Sequence, residues 1–358
     1  MKPTLIKAAA AGTVILVIAG ICVFCIISSG TFRPGPVPVQ AAGRFEAPLT
    51  KPKVLYVDSY HKGYVWSSGI QEGILGVFHA SVDEDDAVDC SRSPVDLRIV
   101  RMNTKRNQSE RFLTEAGRKV KTVIKQWHPD VVITSDDNAA WYVIVPYFYN
   151  ADLPFVFCGV NWDASGYHFP CRNVTGMIQV DLVCSMLKAM HSYADGERLG
   201  VLGADTVTNR KSVEQYVEKL CLRFDETVFV PDPEALKAAY LDMQKRVDML
   251  ILLPPSFIST EAEKADLKAF VLEHNQIITG STESWIAPYT LFCCAMVAGE
   301  QGEWAAKTAL RILDGERPED IPIVQNRRAA LYLNMPLARK KGIVFPVDML
   351  ERAVLIGD

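Results

Sequence analysis

The chain has 358 residues, of which 49% are hydrophobic and 22% charged, with a formal net charge of −4. This is an ordinary globular composition with ample core-forming material. The small net charge and the lack of a long basic run argue against nucleic acid as a partner.

Residues 1–30 read as a signal peptide or membrane anchor. Lys2 and Lys7 precede a charge-free apolar run from Ala8 to Ser28, long enough to span a bilayer, and Ser28-Ser29-Gly30 offers small residues for cleavage. Residues 31–52 hold Pro34, Pro36, Pro38 and Pro52 and form a semi-extended linker. The 300 or so residues that follow exceed one typical domain, so two lobes are expected.

Strands and helices then alternate. Val54–Val57 is a strand, Trp66–Val82 a helix and Leu97–Val100 a second strand. Ser109–Trp127 is an amphipathic helix with Phe112, Ala116, Val120 and Ile124 on one stripe. Val131–Thr134 and Pro154–Phe157 are the third and fourth strands. A second series begins with a helix over Asp181–Tyr193. It continues with a strand at Leu199–Leu202, a helix over Ser212–Phe224 and a strand at Thr227–Val230. Asp232-Pro233 opens a further helix with an N-cap and a proline at its first position. Val247–Leu253 is almost wholly apolar, as a strand covered on both faces should be. Thr260–Glu263 is a capping box for a helix ending at His274, and Ile277-Ile278 is a short strand. Strands separated by helices of this length imply right-handed βαβ units. The predicted fold is therefore α/β, two doubly wound parallel-sheet lobes with a seam near Phe169–Asn173.

In such sheets ligands bind beyond the carboxyl ends of the strands. The loops there carry Ser59, Tyr60 and His61; Ser135, Asp136 and Asp137; and Asn161 and Trp162 in the first series. The second series offers Asp205, Thr206 and Asn209; Pro255 and Ser256; and Glu283. Short polar residues at these junctions also cap helices, so six polar loops on one edge carry more weight than any one residue. Asp136, Asp137 and Glu283 suit an amino group, while Ser59, Thr206 and Asn209 suit a carboxylate or hydroxyls. Tyr60 and Trp162 can stack on a flat portion, and Trp66 either packs in the first helix or closes over the ligand. Trp141 and Trp285 are expected to pack in the core.

No metal or cofactor is expected. The sequence holds no H-E-x-x-H, P-loop or G-x-S-x-G, and no G-x-G-x-x-G follows the first strand. A Cys158/His61/Asp136 trio is conceivable as a nucleophilic site, but Cys158 falls in an apolar strand where a thiol is inert. Cys22-x-x-Cys25 lacks the preceding strand of a redox motif. The other seven cysteines are an odd number. Cys158 and Cys171 stand near enough in sequence to pair in an oxidising compartment, or they serve as small buried hydrophobes. The leading expectation is a binding protein and no enzyme. The alternative is a hydrolase or glycosyltransferase on a similar scaffold.

The C-terminal third carries a resemblance. Gly299–Ala306, Ala309–Pro318, Ile321–Ile323, Leu331–Asn334 and Ala338–Ile343 look like the ABC transporter substrate-binding family, which shares the type 1 periplasmic-binding fold. The opening Val54–His61 with Trp66-Ser67 is similar to a subgroup often attached to signalling proteins. The likeness runs from about Lys53 to Pro346. It implies a three-segment hinge, lobe 1 from 53–170 and 284–322, and lobe 2 from 171–283 and 323–358. It also implies a small ligand held between the lobes of a periplasmic or extracellular monomer, with an ABC permease or a membrane sensor as partner. Some members bind aromatic amino acids.

Overall fold

The computed structural model describes residues 50–357. The predicted signal or anchor segment and most of the linker lie outside the described residues. Among the described residues no helix is long and apolar enough to cross a membrane.

The chain opens with β1 (Lys53–Asp58), α1 (Val65–Phe78), a small hairpin of β2 (Ser81–Val82) and β3 (Val88–Asp89), and β4 (Asp96–Arg101). Next come α2 (Glu110–Trp127), β5 (Val131–Ser135), α3 (Asp136–Ala139), a π-helical turn at Ala140–Ile144 and α4 (Val145–Tyr147). β6 (Phe155–Asn161) and β7 (Val174–Gln179) complete the first series. The second runs α5 (Val183–His191), β8 (Leu199–Ala204), α6 (Val207–Leu220), β9 (Glu226–Val230), α7 (Pro233–Met243), β10 (Met249–Leu252), α8 (Glu261–His274), β11 (Ile278–Ser281) and β12 (Phe292–Met296). The chain ends with α9 (Ala298–Leu313), β13 (Val324–Gln325), β14 (Ala329–Asn334), α10 (Met335–Lys341), α11 (Val347–Arg352) and β15 (Ala353–Ile356).

Two sheets result. The first has the order β13-β7-β6-β5-β1-β4 and is parallel throughout. Alternate residues of its strands feed separate cores on its two faces. Leu55, Val57, Val132 and Phe157 pack with the buried stripe of α2, whereas Val54, Tyr56, Ile133 and Val156 pack with α1 and α9. Both faces are covered, which is why these strands read as continuous apolar runs. The helices α1 and α9 touch through glycine: a Cβ at Gly302 would lie 1.9 Å from the Ile70 carbonyl oxygen.

The second sheet has the order β15-β14-β12-β11-β10-β8-β9. It departs from an all-parallel expectation, because β14 runs antiparallel to β12. Sheet membership also departs from the expected boundaries. β7 pairs with β6 inside the first sheet, so the seam falls after Gln179 rather than near Phe169–Asn173. β12 pairs with β11 in the second sheet, so part of 284–322 belongs there and only α9 onward returns to the first. Phe292-Cys293-Cys294 is buried on both sides, an apolar run whose strand character no alternation betrays.

The chain passes between the sheets three times, after β7, after β12 and after β13. Buried polar side chains hold these crossings. Asn326 accepts from the Val180 amide at 2.7 Å and donates to its carbonyl at 3.0 Å. Glu300 accepts from the Arg327 and Arg328 amides at 3.0 and 2.8 Å.

One further expectation is corrected and one open alternative is decided. Trp141 and Trp285 are 50% and 43% exposed, so neither is a core residue. Cys158 and Cys171 are both free. Cys158 packs on the α1/α9 face of the first sheet and Cys171 against the α2 face, so the sheet itself separates them.

Candidate functional site

In the first sheet the strand order reverses between β1 and β5, and in the second between β8 and β10. A crevice opens at such switch points beyond the strand ends. The loops flanking them are those expected from the sequence, but their residues divide into a support layer and an exposed layer.

Ser59 and Ser135 belong to the support. Ser59 is fully buried; its hydroxyl donates to the Ser135 carbonyl at 2.5 Å and accepts from the Ala139 amide at 2.8 Å. The Ser135 hydroxyl pairs with the Tyr56 hydroxyl at 3.1 Å. These bonds tie the β1 loop to both ends of α3. Asp58 below them is buried and neutralised by Arg101 at 2.6 Å.

Asp136 lies at the centre of the buried cluster beyond β5. It has φ +65°, a left-handed conformation that aspartate tolerates better than most residues. Adjacent carboxylates therefore leave β5 at a sharp turn instead of alternating along a strand. Asp136 is only 3% exposed, and Trp66 Nε1 donates to its Oδ1 at 3.1 Å. Its Oδ2 is buried with no hydrogen-bond partner among the described residues. Burial, followed by the charges of Asp58 and Asp137, pushes its carboxyl well above the usual range. The opposite wall is Gly159, with φ +69°, at a register shift between β6 and β7. Gln301, buried on α9, accepts from the Gly159 amide at 2.9 Å and so pins this irregularity.

Around Asp136 stand aromatic rings. Tyr60 and Tyr64 pack edge to face at 5.0 Å, and the Lys105 ammonium lies over both, 4.8 and 5.2 Å from their centroids. The His61 ring lies 5.7 Å from Tyr64, and its Nδ1 is buried without a partner among the described residues. Asp137 accepts from the Tyr167 hydroxyl at 2.5 Å and from the Asn161 side-chain amide. Tyr167 in turn packs edge to face on Trp141 at 5.6 Å.

Trp162 joins the two lobes. It has φ +58°, its amide donates to the Gln179 carbonyl at 2.8 Å, and its ring lies 5.9 Å from that of Tyr216 on α6. The Tyr216 hydroxyl donates to Asp181 Oδ2 at 2.7 Å. Burial raises the Asp181 carboxyl, and burial followed by the Asp181 charge pushes Glu283 up to about 7. Beside this contact an exposed ion pair of 2.8 Å links Asp163 after β6 with Lys219 on α6.

The remaining second-lobe residues do less. Asn209 is buried and both amide hydrogens go to carbonyls, Ala204 and Pro254, each at 2.9 Å. Thr206 caps α6 by accepting from the Asn209 amide at 3.1 Å. Asp205 is exposed and paired with Arg210 at 2.7 Å. Pro255 is buried, and Ser256 is exposed. Tyr216, Asp181 and Tyr167 were not among the site residues expected from the sequence, nor were Gly159 and Gln301 behind it. Cys158 is buried, and burial raises its thiol, followed by the charges of Asp136 and Asp58. That leaves it protonated and a poor nucleophile.

Residues 101–355 match the family described as ABC transporter substrate binding protein. The chain belongs to that family. Solute binding is thus its function, with a small molecule as ligand and an ABC permease as the family's partner. No curated protein matches the chain. Among solved structures, this substrate-binding protein is similar to a ligand-free, open substrate-binding protein with adhesive properties from Clostridium difficile. The two share 13% identity over 85% of this chain and 99% of that one, with a TM-score of 0.63. It is also similar to a periplasmic ribose ABC transporter protein from Conexibacter woesei (14% identity, 85% and 98% coverage, TM-score 0.50). A conserved domain protein from Vibrio cholerae gives 14% identity, 86% and 99% coverage and a TM-score of 0.50. At such identities the likeness establishes the fold.

Proposed function

We propose that this protein is an extracytoplasmic receptor that captures a small ligand bearing a protonated amine and a flat or apolar portion. The ligand meets the first lobe, where Asp136 takes the amine and Tyr60, Trp66 and Trp162 flank the rest. Asp137 and Asn161 supply further polar contacts. The second lobe then swings onto it, a population shift driven by the contacts that only the closed form makes. Residues 1–30 hold the receptor at the membrane, where an ABC permease or a sensor reads the closed shape. Binding without turnover is the reading that family membership supports.

The observation that carries the ligand class is the partnerless Oδ2 of Asp136. A buried carboxyl oxygen without a partner is unfavourable by roughly 1–3 kcal/mol or more, and a ligand N–H⁺ would both satisfy it and favour the ionised form. Calorimetry and thermal melting with amines, amino acids, nucleosides and sugars test this. Amine-bearing compounds should bind and raise the melting temperature, and Asp136→Asn should abolish both effects. Binding confined to neutral sugars, or unchanged in Asp136→Asn, refutes the reading.

A further inference from the structure

The carboxylates at the two lobes fall into two groups. Asp58, Asp163 and Asp205 each have a cation of their own in Arg101, Lys219 and Arg210. Asp136, Asp137, Asp181 and Glu283 have none within ion-pair distance among the described residues. Their hydrogen-bond donors are neutral: Trp66, Tyr167, Asn161 and Tyr216. The Glu283 carboxylate has no donor at all among the described hydrogen bonds. Two of these acids belong to each lobe, and one run of contacts connects them. Asp137 bonds Asn161, whose neighbour Trp162 packs on Tyr216, and Tyr216 bonds Asp181.

Other polar atoms also lack partners: besides Asp136 Oδ2, His61 Nδ1, Thr134 Oγ1 and Gln215 Oε1 are buried with no hydrogen-bond partner among the described residues. In contrast, the groups expected to hold a carboxylate are committed elsewhere. Ser59 braces α3, Asn209 bonds two carbonyls, and Thr206 caps α6. Lys105 lies over two tyrosine rings and makes no hydrogen bond to an acid among the described residues; its charge favours the ionised Asp136 from a distance, more weakly than burial, Asp58 and Asp137 oppose it.

Closing two lobes whose acids lack ion-pair partners is opposed by the desolvation of those acids and by repulsion between the ones that are ionised, and both strengthen as water leaves. A single ammonium at Asp136 leaves the second lobe's pair unanswered. A zwitterionic amino acid worsens matters by adding a carboxylate. We infer that the ligand carries two cationic groups, one for each lobe: an aliphatic diamine or longer polyamine. This rests on the proposed amine site at Asp136 and adds Asp181 and Glu283 as the second subsite. The Trp162 and Tyr216 rings, packed together on the run of contacts that connects the two acid pairs, then cover the methylene chain.

Calorimetry on the full-length protein at pH 8 and low salt tests this with matched four-carbon compounds: butane-1,4-diamine, butylamine and 4-aminobutanoate. The diamine should bind about tenfold or more tighter than butylamine, the usual scale for one added charge-assisted contact, and 4-aminobutanoate weakest of the three. In Glu283→Gln and in Asp181→Asn the diamine-to-butylamine affinity ratio should collapse toward one, with melting curves checking that each variant folds. A diamine no tighter than butylamine, a tighter 4-aminobutanoate, or a ratio untouched by both substitutions overturns the two-cation assignment. Butylamine binding that disappears in Asp136→Asn keeps the first subsite even then. Failure of every amine to bind overturns both readings.

Discussion

Gly159 and Asp136 are fitted to one another: a Cβ added at Gly159 would lie 3.0 Å from Asp136 Oδ1, on a backbone whose φ of +69° already excludes most side chains. Gly159→Ala should therefore displace the Asp136 carboxylate and its bond from Trp66. We expect a stability loss of about 1–3 kcal/mol, typical of a left-handed non-glycine residue. Amine affinity should fall with it. Chemical denaturation and calorimetry on the same variant check both.

Asp136→Asn should exchange function for stability. The wild-type carboxyl has a raised pKa in the folded protein, so the native state holds its proton more tightly than the unfolded chain. Its contribution to stability then declines as pH rises above the ordinary aspartate value near 4. Without ligand, the asparagine variant should melt above wild type at pH 8 and close to it at pH 4. Saturating amine should reverse the order at pH 8.

Glu283 titrates at about 7, raised by burial and then by Asp181. Below that pH the second lobe is less negative, so the affinity for a dication should rise between pH 6 and 8. Glu283→Gln should flatten the profile. It should also stabilise the ligand-free protein, by an amount that grows from the ordinary glutamate range up to about pH 7 and levels off above it at on the order of 1–3 kcal/mol, since the native state holds this proton more tightly than the unfolded chain. Calorimetry across pH and melting curves measure the two effects.

The Asp163–Lys219 pair bridges the lobes at the surface and is well exposed at both ends. Exposed pairs contribute only about 0.2–1 kcal/mol. Lys219→Met should thus change ligand affinity by less than about fivefold, and that change should vanish near 0.5 M salt, where screening is short-ranged. Affinity measured at two salt concentrations decides it.

Much of this was legible in the sequence. The Thr260 capping box and the Asp232-Pro233 helix start appear as read, with Thr260 and Asp232 accepting from the Glu263 and Ala235 amides. Both are local signals that need no tertiary context. The apolar strands announced two sheets, and the strand-end loops singled out Asp136 and Asp137, which the structure places side by side after β5. What escaped depended on pairing across the chain. Val174–Gln179 is short and carries Gly176, against which the Phe157 ring packs so closely that a Cβ would meet it at 2.3 Å. Nothing local marks it as a strand. Had it been read as one, Asp181 would have stood in the next strand-end loop. Tyr216 lies within a helix, and only the fold brings its ring to Trp162. The exposure of Trp141 and Trp285 could not be read, because a lone tryptophan looks the same in a core and on a surface.

The Asn326 side chain binds both backbone groups of Val180, imitating a neighbouring strand where two of the interlobe crossings meet. Strands so fastened can bend together but cannot slide past each other. A change of angle about this stitch would leave its hydrogen bonds whole, whereas a shear would break them.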